Sequence, residues 1–349
     1  MKTTNDNPLP RVTLKDVAKA SGYSINTISR AMRDDNRLTK ATREKIQAIA
    51  RRLGYVPNML ASTLRSGTSR LVAVIVNDLH NQHFTIMLNK IDKALRAAGY
   101  TMMVLCMQLD ESLGEKLIQT AISHQVDGIL YFPYHNSPNH AEYMARYNMP
   151  FVLIDRWIQG IDADSVRCDD QMGGYIAAKH LIDLGHRRFL RLAGVLTSSS
   201  EIDRSEGFYR ALKEAKLNND CVRVIPWEES EEAIAQNNYA RLLRPLDYTA
   251  VFSFSDELAY HALKAFSLLG VHIPENVSII SFDHICSEIP YLSELTSIYT
   301  SQRDDIANTA VDMLLKRIAN PNMDTQHKIF SVVINDGGTT APLRQDLSQ

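Results

Sequence analysis

The sequence predicts a small all-α head joined to a larger α/β body, the body built as two halves, each a doubly wound parallel sheet with helices on both faces. Three observations lead there. The chain has 349 residues, a length that suggests roughly two or three units of about 100 to 200 residues each. Its charge is divided unevenly: residues 1 to 70 carry 14 Lys and Arg against 5 Asp and Glu, whereas residues 71 to 349 carry 24 against 35. Short capped helices fill the first 54 residues, and beyond about residue 70 apolar runs alternate with helical stretches, the pattern of parallel strands joined by helices.

In the head, "TLKDVAKASG" opens on Thr13 as N-cap with Asp16 three residues on, a capping box, and stops at Gly22. Ser24 caps a second helix that runs to about Met32, so Ser21, Gly22 and Tyr23 form a tight turn. Thr39 caps a third helix, in which Ile46, Ile49, Ala50 and Leu53 recur at helical spacing before Gly54 ends it. Together these form a helix-turn-helix arrangement. On a wheel of about 100° per residue, Asn26, Ser29 and Arg30 share the predicted exposed side of the second helix, and Ile25 marks its boundary. An isolated helix of this kind also reads as a solvated face. The capped helix and turn before it, in a basic segment, favour a helix that enters the major groove of DNA.

After a Ser- and Gly-bearing linker, "LVAVIV" begins the body as a buried strand, followed by a helix to Ala98 and the second apolar run "TMMVLCM". "GILYF" and "FVLID" continue the alternation, which restarts with "RRFLRLAG", "CVRVIP", "TAVFSF" and "VSIISFD". Open parallel sheets bind ligands beyond the carboxyl ends of their strands. The loops after Val76, Asp155, Gly194, Phe254 and Phe282 are therefore the candidate ligand-binding places.

Composition narrows the function. A hydrophobic share of 45% with 22% charged residues is that of a globular protein, which disfavours disorder. No apolar run approaches the roughly 20 residues of a membrane span, and the N-terminus has no apolar signal segment, so a cytoplasmic location and no membrane partner are expected. Cys106, Cys168, Cys221 and Cys286 are dispersed, which argues for reduced thiols and against a zinc site. His80 and His83 stand three apart without Asp, Glu or Cys partners at metal-ligand spacing. With no nucleophile elbow, phosphate loop or dinucleotide fingerprint, the expectation is a protein that is not an enzyme and that carries neither metal nor cofactor.

Five segments, "VTLKDVAKASGYSINTISRAM", "TREKIQAIARRLGYVPNMLASTLRSG", "VDGIL", "HLIDLGHRR" and "IPENVSIISFD", resemble in order the signatures of the LacI/GalR family of bacterial transcription regulators. The resemblance spans nearly the whole chain. It implies a repressor whose body is similar to periplasmic binding proteins and whose operator affinity is set by a small ligand. It also implies a domain plan: a helix-turn-helix domain at 1–56, a hinge helix and linker at 57–69, and an effector-binding and dimerisation body at 70–349. Within the body the first half would take 70–164 and 299–323, the second 165–298 and 324–341. The implied partners are double-stranded operator DNA, a sugar, sugar phosphate or nucleoside, and a second copy of the chain in a homodimer.

Residue by residue, Ile25, Asn26 and Arg30 stand where the family reads base edges. Their chemistry suits a thymine methyl, adenine and guanine respectively. Thr13, Ser24, Thr27 and Ser29 are placed for phosphate contacts. Asn58, Ala61 and Leu64 match the family's hinge, with Leu64 as its minor-groove wedge. Phe84, Asp155, Arg204, Asp256 and Asp283 match effector-binding positions; the carboxylates accept from adjacent hydroxyls and the guanidinium donates in a fixed fork. Ser255 stands where asparagine is usual, and "NQHF" replaces "NPFF", which adds His83 as a polar contact. Trp227 is a candidate second stacking platform. Solute receptors share such a body but would have no use for the basic head.

Overall fold

The computed structural model describes residues 12–56, 67–289 and 292–344. The hinge candidates Asn58, Ala61 and Leu64 lie outside the described residues. Contacts divide the chain into two units, Met1–Ser69 and Arg70–Gln349.

In the first unit the three predicted helices form as α1 (Leu14–Ser21), α2 (Ile25–Ala31) and α3 (Lys40–Arg52). Gly22 sits at φ 74°, the left-handed conformation that ends α1 with its N–H bonded back to the Ala18 carbonyl. The Ser24 and Thr39 hydroxyls then accept from the Thr27 and Thr42 amides, which supply partners for first-turn N–H groups of α2 and α3. Val17, Ile28, Ala31, Ile46 and Ala50 form the small core, to which each helix contributes.

The second unit holds two six-stranded sheets. The first contains β1 (Leu71–Val76), β2 (Thr101–Cys106), β3 (Gly128–Tyr131), β4 (Phe151–Ile154), β5 (Ser165–Cys168) and β11 (His327–Phe330) in the order β11-β5-β4-β3-β1-β2, parallel throughout. The second contains β6 (Phe189–Leu192), β7 (Val222–Ile225), β8 (Ala250–Ser253), β9 (Ser278–Phe282), β10 (Thr296–Tyr299) and β12 (Val333–Asn335) in the order β12-β10-β9-β8-β6-β7, parallel except for the β10–β12 pair. On β1, Val72, Val74 and Val76 enter one core and Ala73 and Ile75 another, because successive side chains alternate between faces and helices cover both.

Helices α4 (Gln82–Ala97), α5 (Gly114–Ser123) and α6 (Asn139–Arg146) belong to the first half, and α7 (Asp170–Asp183), α8 (Ser199–Glu214), α9 (Trp227–Ala235), α10 (Tyr239–Leu242) and α11 (Asp256–Leu268) to the second. The stretch expected as one helix near 231–243 is two, α9 and α10. The last helix, α12 (Arg303–Ala319), follows a strand of the second sheet yet places Ile306, Ala307, Ala310, Val311 and Leu314 in the core of the first. The chain thus passes between halves after β5, after β10 and between β11 and β12. The expected boundaries need correction here: 165–168 and 327–330 pair into the first sheet, not the second half. Hydrogen-bonded register, which composition does not reveal, decides which sheet a short strand joins.

Candidate functional site

In the head, α2 offers a face that its packing leaves open. Ile28 and Ala31 are fully buried, Asn26 is exposed and Ile25 is 45% exposed, so the boundary residue faces outward. Arg30 is partly exposed, with no carboxylate paired to it among the described residues. The exposed-face reading fails for Ser29, which is 9% exposed: α1 and α3 both pack on α2 and cover a wider arc than the apolar stripe alone. A phosphate contact from its side chain is therefore disfavoured. The Thr13 hydroxyl is 2.7 Å from an Asp16 carboxylate oxygen, to which it donates, and the Ser24 and Thr27 hydroxyls bond each other at 2.8 Å.

In the body, a crevice between the two halves opens at the carboxyl ends of the strands. Six of the eight predicted effector residues line it: His83, Phe84, Asp155, Arg204, Ser255 and Asp283. Asp155 directly follows β4 and Asp283 directly follows β9, and both hold positive φ, 65° and 107°. The two halves thus carry the same device, a carboxylate turned out of a strand end by a backbone conformation that non-glycine residues seldom adopt.

His83, at the start of α4, joins these carboxylates. Its Nε2 lies 2.6 Å from Asp155 Oδ2 and its Nδ1 3.7 Å from Asp283 Oδ1, so one imidazole spans both halves. Burial alone would lower its pKa, but the charges of Asp155 and Asp283 outweigh that and hold it above the usual histidine value. Phe84 forms an apolar wall, edge-on to Phe132 at 5.5 Å between centroids.

On the second half, the Arg204 guanidinium lies 3.5 Å from the centroid of Phe282 and 4.5 Å from that of Phe254. Its Nε donates to Asp170 at 2.8 Å and its Nη1 to the Phe254 carbonyl at 2.6 Å, which fixes the plane of the fork. Burial pushes the Asp170 carboxyl up to about 6 against the pull of Arg204.

Two predicted residues stand elsewhere. Asp256 is fully buried behind the wall and accepts from the Ser281 and Ser297 hydroxyls and the Ile285 amide. It ties the start of α11 to β9, to β10 and to the loop after β9; burial, then the Asp283 charge, raises its pKa to about 7. Trp227 opens α9 and lines, with Tyr134 and Glu257, an adjoining cavity that shares Phe84, Phe254 and Ser255 with the crevice.

Sequence reasoning missed the floor. Cys168, Asp170, Tyr299, Thr300 and Arg303 come from the segments that pass between halves, and only the crossing of the chain brings them under the ligand loops. Arg156, next to Asp155, was a recognisable neighbour. It donates to Ser200 Oγ at 3.1 Å across the crevice and to the Pro133 and Tyr134 carbonyls on its own side. Trp157 adds bonds from its amide to Ser199 Oγ at 2.9 Å and from its indole to Asp203 at 2.8 Å. Lys90 reaches Glu288 at 3.0 Å.

Among the described residues no cluster of three or more metal-ligating side chains occurs, and no helix is long and apolar enough to cross a membrane. A model of the lacI family of bacterial regulatory proteins matches residues 13–58, and a periplasmic binding protein-like domain matches 178–340. The HTH-type transcriptional regulator DegA of Bacillus subtilis is 30% identical over 277 residues, 78% of this chain and 82% of that one. A LacI family transcriptional regulator from Enterococcus faecium, solved with bound ribose, is 26% identical, with a TM-score of 0.68 over 78% of this chain and 100% of that one. The lac repressor dimer bound to operator and an anti-inducer shares the fold, with a TM-score of 0.78 at 22% identity over 95% and 99% of the two chains. A basic three-helix head, two sheets with a polar crevice between them and these likenesses agree: the chain belongs to the lacI family of bacterial regulatory proteins, DNA-binding transcription regulators under ligand control and not enzymes.

Proposed function

We propose that the effector is a small polyhydroxylated molecule, a sugar or sugar derivative, bound between Asp155 and Asp283 with Phe84 and Arg204 as walls. The observation that carries this is the facing pair of carboxylates, one turned out of β4 and one out of β9, already bridged by His83. Carboxylates accept from adjacent hydroxyls, and a ligand that bonds both halves at once prefers one arrangement of them. Only such a difference in affinity can shift the regulator between states. Ribose in the Enterococcus faecium regulator fits the same ligand class.

On DNA, Asn26 and Arg30 are assigned to adenine and guanine edges and Ile25 to a thymine methyl, with Ser24 and Thr27 toward phosphates. The exposure of Ile25 and Asn26 supports this reading. The hinge at 57–69 and its wedge Leu64 would complete the contact in the minor groove, and a cytoplasmic homodimer would read a roughly palindromic operator. The test is fluorescence anisotropy of the full chain on DNA from upstream of its own gene, with and without sugars. Binding that responds to a sugar in the wild type but no longer in Asp283→Ala is the expected result. Absence of any DNA binding at low salt would remove the operator assignment, and an unchanged response in Asp283→Ala would remove the crevice assignment.

A further inference from the structure

Arg303 opens α12 at the point where the chain passes back from the second half to the first, and it lines the crevice beside Tyr299 and Thr300. The residue is only 8% exposed, yet its Nη2 is buried without any hydrogen-bond partner. The neighbouring carboxylates are engaged with other groups: Asp170 with Arg204, Asp155 with His83 and Asp304 with Lys90, while Asp283 faces His83. Arg156 is held by a serine hydroxyl and two carbonyls. Arg303 is left as a crevice cation with no anionic partner among the described residues.

A guanidinium withdrawn from water without a counter-charge is strongly unfavourable, and folded proteins keep buried charges paired. Neutral hydroxyls would satisfy its hydrogen bonds but not its charge. A carboxylate or phosphate would satisfy both, in the bidentate geometry that suits the planar fork. We propose that the effector carries an anionic group, a carboxylate or a phosphate, which pairs with Arg303 while its hydroxyls reach Asp155 and Asp283. This inference rests on the crevice being the effector site.

The test uses the full-length protein at constant ionic strength, with ribose, glucose and galactose, their phosphate monoesters and their aldonic acids as probes in thermal-shift and calorimetric titrations. At least one anionic probe should bind about tenfold or more tightly than its neutral parent, and the phosphate and carboxylate arms identify which anion is preferred. Arg303→Met should abolish that preference. Without ligand it should also melt at a higher temperature than the wild type, since the unmatched charge is gone. Neutral parents binding as tightly as their anions, or an anion preference that survives Arg303→Met, would overturn the inference. So would a panel with no binder together with an Arg303→Met variant no more stable than the wild type. Binding that depends on Asp283 but not on Arg303 leaves the crevice reading standing and removes only the anion; binding indifferent to Asp283→Ala removes the crevice reading itself.

Discussion

The recognition helix and the crevice hold their functional groups under opposite conditions. On α2 Ile25 and Asn26, proposed to read bases, are exposed and Arg30 partly so, whereas Arg204 and Asp283 are 8% and 9% exposed and are already in contact with other charged or aromatic groups. The head's groups await a partner, whereas Arg204 and Asp283 already have theirs, and among the crevice cations Arg303 is the exception. Substitutions on the head should therefore change function without stability, and substitutions in the crevice should change both.

The largest effect is expected from Arg204→Ala. It leaves the Asp170 carboxylate, 2% exposed, without its cation and strips the guanidinium from between two phenyl rings, a loss of about 3–5 kcal/mol in chemical denaturation. A loss under about 1 kcal/mol would break the comparison, since the crevice would then tolerate change as a surface does.

Next in size is Arg30→Ala, which should weaken operator binding by about 1–3 kcal/mol in anisotropy titrations and leave the melting temperature where it was. A melting point that falls with it would make Arg30 a structural residue of the head.

Smaller again is a dependence on pH. His83 faces Asp155 and Asp283, which raise its affinity for a proton against both burial and the charge of Arg303. The folded state binds that proton more tightly, so the stabilisation is complete below the unfolded value of about 6.5 and is lost as pH rises through the higher folded value. The stability advantage of the wild type over His83→Asn should be greatest near about pH 6 and shrink toward alkaline pH. A difference that stays level across that range would assign His83 a packing role.

The smallest change in stability is expected from Ile25→Ala, within about 0.5 kcal/mol, because the side chain is 45% exposed. Operator selection should nonetheless shift its base preference at one position. A folding defect would place Ile25 in the core, contrary to its exposure.

Local regularity made the head legible. Thr13, Ser24 and Thr39 each start a helix where a side chain can cap it, and Gly22 stops one where a positive φ is needed; these signals act over four residues or fewer. Ser29 shows the limit: a wheel gives an angle, but α1 and α3 together determine how much of α2 is covered. In the body the strand-end carboxylates Asp155 and Asp283 could be found because a ligand site follows the ends of parallel strands. Asp256 sits at such an end as well and is fully buried, a distinction settled by the hydroxyls of Ser281 and Ser297, which stand 25 and 41 residues away.

By itself the sequence determined the three helices, the alternation of strands and helices in two halves, and the residue types that end each strand, since all of these depend on neighbours along the chain. Only the tertiary structure decided which sheet took β5 and β11, that His83 would span both halves, and that Arg303 would be carried beneath the ligand loops without a counter-charge. The physical reason is the same in each case: register, ion pairing and desolvation act between groups that the crossings of the chain bring together.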